Sequence, residues 1–121
     1  MSSALIVDDN RETADSLGQM LKFLGVATYT AYGPRAAMIA LRDFTPDVIF
    51  MDINMPGVDG FEVMAYFRRL PQLREVPVVV VTSDDQPETE SKARQTGALL
   101  VIIKPTTLGA VERVLKSINL I

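Results

Sequence analysis

Residues 46–60 read Pro46-Asp47-Val48-Ile49-Phe50-Met51-Asp52-Ile53-Asn54-Met55-Pro56-Gly57-Val58-Asp59-Gly60, and this stretch decides the fold. A short apolar run, Val48–Met51, ends on the carboxylate of Asp52, and a segment rich in turn residues follows at once. A run of about four to eight apolar, β-rich residues bounded by turn residues is typical of a fully buried strand. The stretch therefore predicts a central strand that carries a carboxylate at its C-terminal end.

Three other apolar runs end on polar residues in the same way. Segments with helical spacing of apolar residues separate them, a pattern typical of buried parallel strands. In a parallel sheet the C-terminal ends of the strands lie along one edge, where ligands bind. We therefore expect the residues that end all four runs to meet there. Besides Asp52, these are Asp8 and Asp9 after residues 5–7, Thr82 after residues 78–81, and Lys104 with Pro105 after residues 99–103.

The remaining segments complete an alternation of strands and helices. A more polar run over residues 26–31 predicts a fifth strand at an edge of the sheet. Five strands alternating with five helices predict an α/β fold, a doubly wound parallel sheet with right-handed crossovers. We expect one domain over residues 1–121, with an ordered core of roughly 4–119. The predicted helices cover residues 11–24, 34–43, 61–70, 87–96 and 107–119, the last with Leu108, Val111, Leu115 and Ile118 facing inward.

Composition limits the possible chemistry. The 121 residues include no cysteine and no histidine, which excludes disulfides, zinc–thiolate sites, Ser-His triads and imidazole ligands. The net charge of −3 argues against direct binding of nucleic acid, which needs clustered Lys and Arg. No apolar run approaches the roughly 20 residues of a bilayer span and no signal peptide opens the chain, so we expect a cytoplasmic protein without membrane contact.

Asp8, Asp9 and Asp52 are the candidate metal ligands. Taken alone, Asp8 and Asp9 fit the first turn of a helix equally well, where acids cap the backbone and favour the helix dipole. With Asp52 beside them, three like charges raise one another's pKa values and cost stability unless a cation compensates. Mg²⁺ is a hard cation that takes carboxylates, waters and phosphate oxygens, so the cluster predicts a Mg²⁺ site.

Asp52, Thr82 and Lys104 indicate what this site does. A carboxylate that ends a central strand can act as a nucleophile and form an aspartyl phosphate, the alternative being a cap for the turn at residues 54–60. Thr82 can donate its hydroxyl to a phosphoryl oxygen, although Thr is common at strand ends. Lys104 either extends to solvent or pairs with the acids, and Pro105 after it allows a cis peptide bond.

In order along the chain, these motifs resemble the receiver domain of two-component response regulators over essentially the whole length. Each motif is weak by itself, but their order and their position at strand ends make the match specific. The resemblance implies a flavodoxin-like sheet with strand order 2-1-3-4-5. The matching segments are residues 5–10, residues 46–60, residues 77–82, Gly97-Ala98 and Lys104-Pro105.

The resemblance implies a phosphorylation-dependent signalling switch and not a conventional enzyme. Asp52 would accept a phosphoryl group from a phosphohistidine on a partner histidine kinase or histidine phosphotransfer protein. Mg²⁺ would be held by Asp9, Asp52 and the backbone carbonyl of Asn54, with Asp8 acting through water. Intrinsic phosphotransfer and autodephosphorylation are expected. The signal would pass to a downstream protein or a fused effector domain.

The resemblance also assigns roles to positions around the acceptor. Thr82 and Lys104 would bind the phosphoryl oxygens. Asn54 and Asp84 stand two residues past the acceptor and two past the switch threonine, where polar side chains can orient a hydrolytic water and set the phosphate lifetime. Val101 stands three residues before Lys104, where the family usually has a Tyr or Phe switch residue. A stiff valine cannot swing as an aromatic ring does, so the usual relay to the output surface is open to question.

The predicted helix at residues 87–96 is almost entirely polar, with only Ala93 to bury. A solvated helix is the simplest explanation. With so little apolar surface, it should nevertheless be the least stable element of the fold. We hypothesise that phosphorylation shifts the position or order of this helix without an aromatic switch residue.

Other functions fit part of the pattern. A Mg²⁺-dependent phosphohydrolase with an aspartyl-phosphate intermediate usually has a second Asp where this chain has Asn54, and it needs specificity insertions for which there is no room. A degenerate receiver used as a constitutive docking module fits Val101 but not the intact site residues. A flavin-binding flavodoxin is disfavoured because the acids would repel the cofactor's phosphate. The partner kinase, the oligomeric state and whether the chain stands alone or belongs to a longer regulator stay open.

Overall fold

The computed structural model describes residues 2–121 and contains one five-stranded parallel sheet. Its strands are β1 (Ser3–Val7), β2 (Ala27–Ala31), β3 (Val48–Met51), β4 (Val78–Thr82) and β5 (Leu100–Ile103). Their order across the sheet is β2-β1-β3-β4-β5. This order confirms the predicted doubly wound arrangement, with the polar strand β2 at an edge. All residues of β3 and β4 are buried, as expected for strands covered on both faces.

Five α-helices cover the two faces of the sheet. The first and fifth helices contribute to the apolar core on one face, and the second, third and fourth to the core on the other. Side-chain caps fix three of the helix starts, since each accepts a hydrogen bond from a first-turn backbone N–H. These caps are Asn10, Asp59 and Thr107. The helices are α1 (Arg11–Phe23), α2 (Pro34–Ala40), α3 (Gly60–Arg69), α4 (Pro87–Thr96) and α5 (Leu108–Ser117).

The structure corrects the sequence prediction at three places. Helix α2 ends at Ala40, three residues before the predicted end, and the predicted loop after α3 contains a short 3₁₀ helix at Pro71–Leu73. Leu108 was expected to face inward, but it is 38% exposed. It opens α5, before the helix reaches the sheet, and Val114 is buried in the core of that face together with Val111 and Leu115. No helix within residues 2–121 combines the length and the hydropathy that a bilayer crossing requires.

Backbone register brings the strand ends together. Val7 pairs with Met51 and Thr82 pairs with Ile103, so the residue that follows each strand lies beside the end of its neighbour. The bonds continue one step past the strands. The Asp52 N–H donates to the Val7 carbonyl at 2.9 Å, and the Lys104 N–H donates to the Thr82 carbonyl at 2.8 Å. The pairing of the strands therefore places Asp52 and Lys104 at the C-terminal edge of the sheet.

Candidate functional site

Three carboxylates meet at the C-terminal edge of the sheet. Oxygen atoms of Asp8, Asp9 and Asp52 all lie within 4.8 Å of one another. Asp8 and Asp52 are buried, whereas Asp9 is exposed. The predicted convergence of these residues is confirmed by their positions.

Lys104 lies between the two buried acids. Its Nζ is 3.2 Å from Oδ2 of Asp8 and 3.3 Å from Oδ2 of Asp52, so this lysine pairs with the acids and does not extend to solvent. The peptide bond between Lys104 and Pro105 is cis. Three carboxylates against one ammonium leave a formal charge of −2 at the site.

The second oxygen of each buried carboxylate is held by the backbone. Oδ1 of Asp8 accepts from the Asn10 N–H at 3.0 Å, and Oδ1 of Asp52 accepts from the Asn54 N–H at 2.9 Å. One oxygen therefore faces the lysine and the other faces a loop. This arrangement fixes the orientation of both carboxylates before any ligand binds.

Burial raises the pKa of Asp8 above its usual range. Desolvation is the largest cause and the charge of Asp52 adds to it, whereas the Asn10 N–H and Lys104 act in the opposite direction. The sequence predicted that like charges would raise the pKa values in this cluster. For Asp8 the direction is confirmed, but loss of hydration contributes more than repulsion.

The donor set fits a hard divalent cation. It consists of carboxylate oxygens only, one of the three acids is open to solvent, and the formal charge of −2 equals in magnitude the charge of such an ion. The adjoining cleft encloses about 430 Å³, enough for a cation with its waters and a phosphoryl group. Its lining residues are Asp9, Asn10, Asp52, Asn54, Pro56, Ser83 and Lys104.

Thr82 ends β4 beside the acids and is fully buried. Its Oγ1 accepts hydrogen bonds from Nδ2 of Asn54 at 2.7 Å and from the Asp84 N–H at 3.1 Å. Both acceptor sites of the hydroxyl are therefore filled, and its hydrogen is the part left to donate. The bond joins the loop after β3 to the last residue of β4, and no pattern in the sequence predicted it.

Comparison with known proteins gives the family. A family model described as "Response regulator receiver domain" matches residues 4–116. The polar-differentiation response regulator DivK of Brucella anthropi is 30% identical over 115 residues, which are 95% of this chain and 94% of DivK. The chain belongs to the response regulator receiver domain family.

Solved receiver structures share the fold over nearly their whole length. The chemotaxis response regulator CheY4 of Vibrio cholerae superposes with a TM-score of 0.89 at 27% identity, covering 98% of each chain. The signal receiver domain of a DNA-binding response regulator (merR) from Colwellia psychrerythraea 34H gives a TM-score of 0.90 at 28% identity, covering 100% of each chain. The flavodoxin-like topology expected from the resemblance is confirmed.

Two positions singled out in this receiver domain lie away from the acids. Val101 is partly buried on β5 and packs against the core on the face of α2, α3 and α4. The carboxylate of Asp84 accepts hydrogen bonds from the Gln86 N–H at 2.9 Å and from the Thr89 hydroxyl at 2.6 Å, so it is bonded to the start of α4. Sequence reasoning missed Thr89. The spacing of an acid in the loop before a helix and a Thr in its first turn is the only signal available.

Proposed function

We propose that this receiver domain is a phosphorylation-dependent switch whose phosphoryl acceptor is Asp52. The observation that carries the proposal is the Lys104 ammonium between the buried carboxylates of Asp8 and Asp52, with the exposed Asp9 beside them. A buried, oriented carboxylate next to a cation is suited to attack phosphorus, and the cation can neutralise the charge that arrives with the phosphoryl group.

The phosphoryl donor in this proposal is a phosphohistidine on a histidine kinase or a histidine phosphotransfer protein. A carboxylate oxygen of Asp52 attacks the phosphorus, the P–O bond forms as the P–N bond breaks, and the imidazole leaves and takes up a proton. Hydrolysis returns the carboxylate, because water attacks phosphorus and inorganic phosphate leaves. The protein contributes position and charge, as is general for phosphoryl transfer.

Mg²⁺ is the cation we assign to the acidic cluster. Asp9, Asp52 and the backbone carbonyl of Asn54 would hold it, with Asp8 acting through water. When bound, such an ion neutralises charge on the phosphoryl oxygens. The carboxylates would bind and orient the ion, and their excess negative charge is a physical reason for a divalent ion to bind here.

Thr82 and Lys104 are assigned to the phosphoryl oxygens. The Thr82 hydroxyl hydrogen is free to donate, since both acceptor sites of its oxygen are filled. Lys104 can exchange its bond to Asp52 for one to a phosphoryl oxygen while it keeps Asp8. The signal then passes to a downstream protein or a fused effector domain.

In this proposal a single receiver domain acts in the cytoplasm, where ATP supplies the phosphoryl group to the kinases.

Phosphorylation can be tested with a small-molecule donor. Incubation with Mg²⁺ and acetyl phosphate should add one phosphoryl mass increment to the intact protein, and Asp52→Asn should abolish it. Asp47→Asn is the matched control, because Asp47 lies near the opposite end of the sheet and holds the Ser3 N–H. No increment in the wild type, or an undiminished increment in Asp52→Asn, would overturn the proposal.

Control of the phosphate lifetime by Asn54 and Asp84 stays a prediction. Asn54→Ala and Asp84→Ala should each change the rate at which the phosphoryl increment decays after the donor is removed. Asp43→Ala, which removes an exposed carboxylate that follows α2, serves as the control. Unchanged decay in both variants would contradict the prediction.

A further inference from the structure

A chain of hydrogen bonds leads from the acceptor site to helix α4. It begins with the Asn54 side chain, which lies in the loop after Asp52 and donates to Thr82 Oγ1 at 2.7 Å. The next bond runs from the Asp84 N–H to the same oxygen at 3.1 Å. The Asp84 backbone is thus joined directly to the hydroxyl that we assign to the phosphoryl group.

The Asp84 side chain continues the chain into α4. Its Oδ2 accepts from the Thr89 hydroxyl at 2.6 Å, and its Oδ1 accepts from the Gln86 N–H at 2.9 Å. The two bonds lower the pKa of Asp84, the Thr89 bond being the larger cause. The carboxylate therefore stays ionised near neutral pH and keeps both bonds. Any movement of the Asp84 backbone is transmitted to the first turn of α4.

Helix α4 has little else to hold its N-terminal half. Across residues 87–96, only Ala93 is buried. The Lys92 ammonium lies 4.5 Å from the centre of the Phe61 ring, and Arg68 donates to the Gly97 carbonyl at 2.9 Å just past the end of the helix. These contacts anchor the middle and the C-terminal end. The first turn is tied to the site by Asp84, and a helix with so few apolar contacts can move at small cost.

We propose that Thr89 is a positioning residue for Thr82, and that the Asp84–Thr89 hydrogen bond couples the acceptor site to the first turn of α4. The inference rests on the proposed function and adds the route by which the site acts on a surface helix. The route does not involve Val101, which packs in the core and carries no group that can bond to the site.

The coupling has a definite direction. When Thr82 donates to a phosphoryl oxygen, its Oγ1 moves toward Asp52 and pulls on the Asp84 N–H. Asp84 then draws away from Thr89, and the hydrogen bond between Asp84 and the first turn of α4 breaks. Coupling of this kind is reciprocal, so loss of the Asp84–Thr89 bond should in turn favour the phosphorylated state, in which that bond is already broken.

Four proteins test this proposal: the wild type, Thr89→Val, Thr89→Ser and Thr96→Val. Thr96 is the matched control, because the same substitution is made in the same helix while its hydroxyl bonds only to the Lys92 carbonyl of α4. Each protein is held with Mg²⁺ and excess acetyl phosphate, or without the donor. Intact mass gives the phosphoryl occupancy and its initial rate, and amide hydrogen exchange is followed in residues 86–97.

Phosphorylation of the wild type should speed exchange in residues 86–97 by about threefold to tenfold, the effect of losing one hydrogen bond. Thr89→Val should exchange at the fast rate in both states, and the balance between its phosphorylated and unphosphorylated forms should shift toward the phosphorylated form by a similar factor. Thr89→Ser should restore the slow exchange, its dependence on phosphate and the phosphoryl occupancy of the wild type. Thr96→Val should behave as the wild type.

The outcomes separate the two proposals. If the wild type acquires no phosphoryl group, the proposed function fails and the coupling fails with it. If it does but Thr89→Val keeps the phosphate-dependent change in exchange, or Thr89→Ser does not restore it, the coupling alone is refuted. An equal loss in Thr89→Val and Thr96→Val would show a general effect on helix stability and would also refute the coupling.

Discussion

At the scale of single residues, the site is built at the expense of stability. Asp8 is buried beside Asp52, and Lys104 compensates only part of the charge of the cluster. Desolvation raises the pKa of Asp8, which means that its ionised form is less stable in the folded protein than in the unfolded chain. Buried charges kept at such a cost are typical of functional sites.

Asp8→Asn should therefore stabilise the protein in the absence of divalent cations. The amide oxygen can still accept from the Asn10 N–H, and the buried charge is removed. We expect a gain of about 1 kcal/mol in the free energy of unfolding at pH 7, measured by urea denaturation. Because the folded-state pKa of Asp8 is raised, the wild type regains stability as the pH falls through that pKa, and the difference should shrink.

The control for this prediction is Asp43→Asn, which neutralises an exposed acid after α2. It should change the free energy of unfolding by less than about 0.5 kcal/mol. A destabilised Asp8→Asn, or a gain that grows as the pH falls, would contradict the assignment of an unfavourable buried charge.

At the scale of elements, the loop after β3 is held by a close approach of backbone. A Cβ atom on Gly60, the first residue of α3, would lie 2.5 Å from Cα of Ile53 and 2.7 Å from its carbonyl oxygen. The loop that carries Asn54 is therefore packed directly on the start of α3. Only glycine permits this contact, and it fixes the path of the chain just after Asp52.

Gly60→Ala should thus be strongly destabilising. Because backbone atoms cannot give way as a flexible side chain does, we expect a loss of about 2–3 kcal/mol in the free energy of unfolding, measured by urea denaturation. Gly18→Ala is the matched control within α1, where the nearest atom is 3.5 Å away, and it should stabilise by about 0.5–1 kcal/mol. Similar effects of the two substitutions would refute the close approach.

The elements also show how far sequence reasoning reached. The polar helix α4 was predicted with the bounds that the structure has, because a proline opens it and a glycine ends it. Leu108 was assigned inward from its helical spacing alone. Spacing gives the face of a helix but not where its first turn lies relative to the sheet, and that turn extends into solvent.

At the scale of the whole molecule, a cation at the acidic cluster should stabilise the fold globally. A ligand that binds only the folded state adds stability by mass action, about 1.4 kcal/mol at ten times its dissociation constant. Thermal unfolding with increasing Mg²⁺ should therefore show a rising midpoint, and a chelator should reverse it. Asp9→Asn should weaken the response, because Asp9 is a proposed ligand.

Potassium at matched ionic strength is the control for general screening of charge. It should raise the midpoint much less than Mg²⁺ does. An equal response to the two cations, or an undiminished response in Asp9→Asn, would mean that the three carboxylates do not form a specific site.

The sequence by itself determined the alternation of strands and helices, the parallel sheet and the residues at its C-terminal edge. It could do so because strands buried on both faces need continuous apolar runs, and the polar residue that follows each run marks the end of the strand. Asp8, Asp9, Asp52, Thr82 and Lys104 were all found in this way, and the register of the strands brings them together.

Only the tertiary structure decided how these residues are connected. The Lys104 ammonium pairs with both Asp8 and Asp52, the Asn54 side chain bonds to Thr82, and Asp84 bonds to Thr89. Residues that are 28 to 96 positions apart form the first three of these contacts. Hydrogen bonds depend on distances and angles between side chains from separate segments. No periodicity along the chain records these distances and angles, so the bonds follow from packing alone.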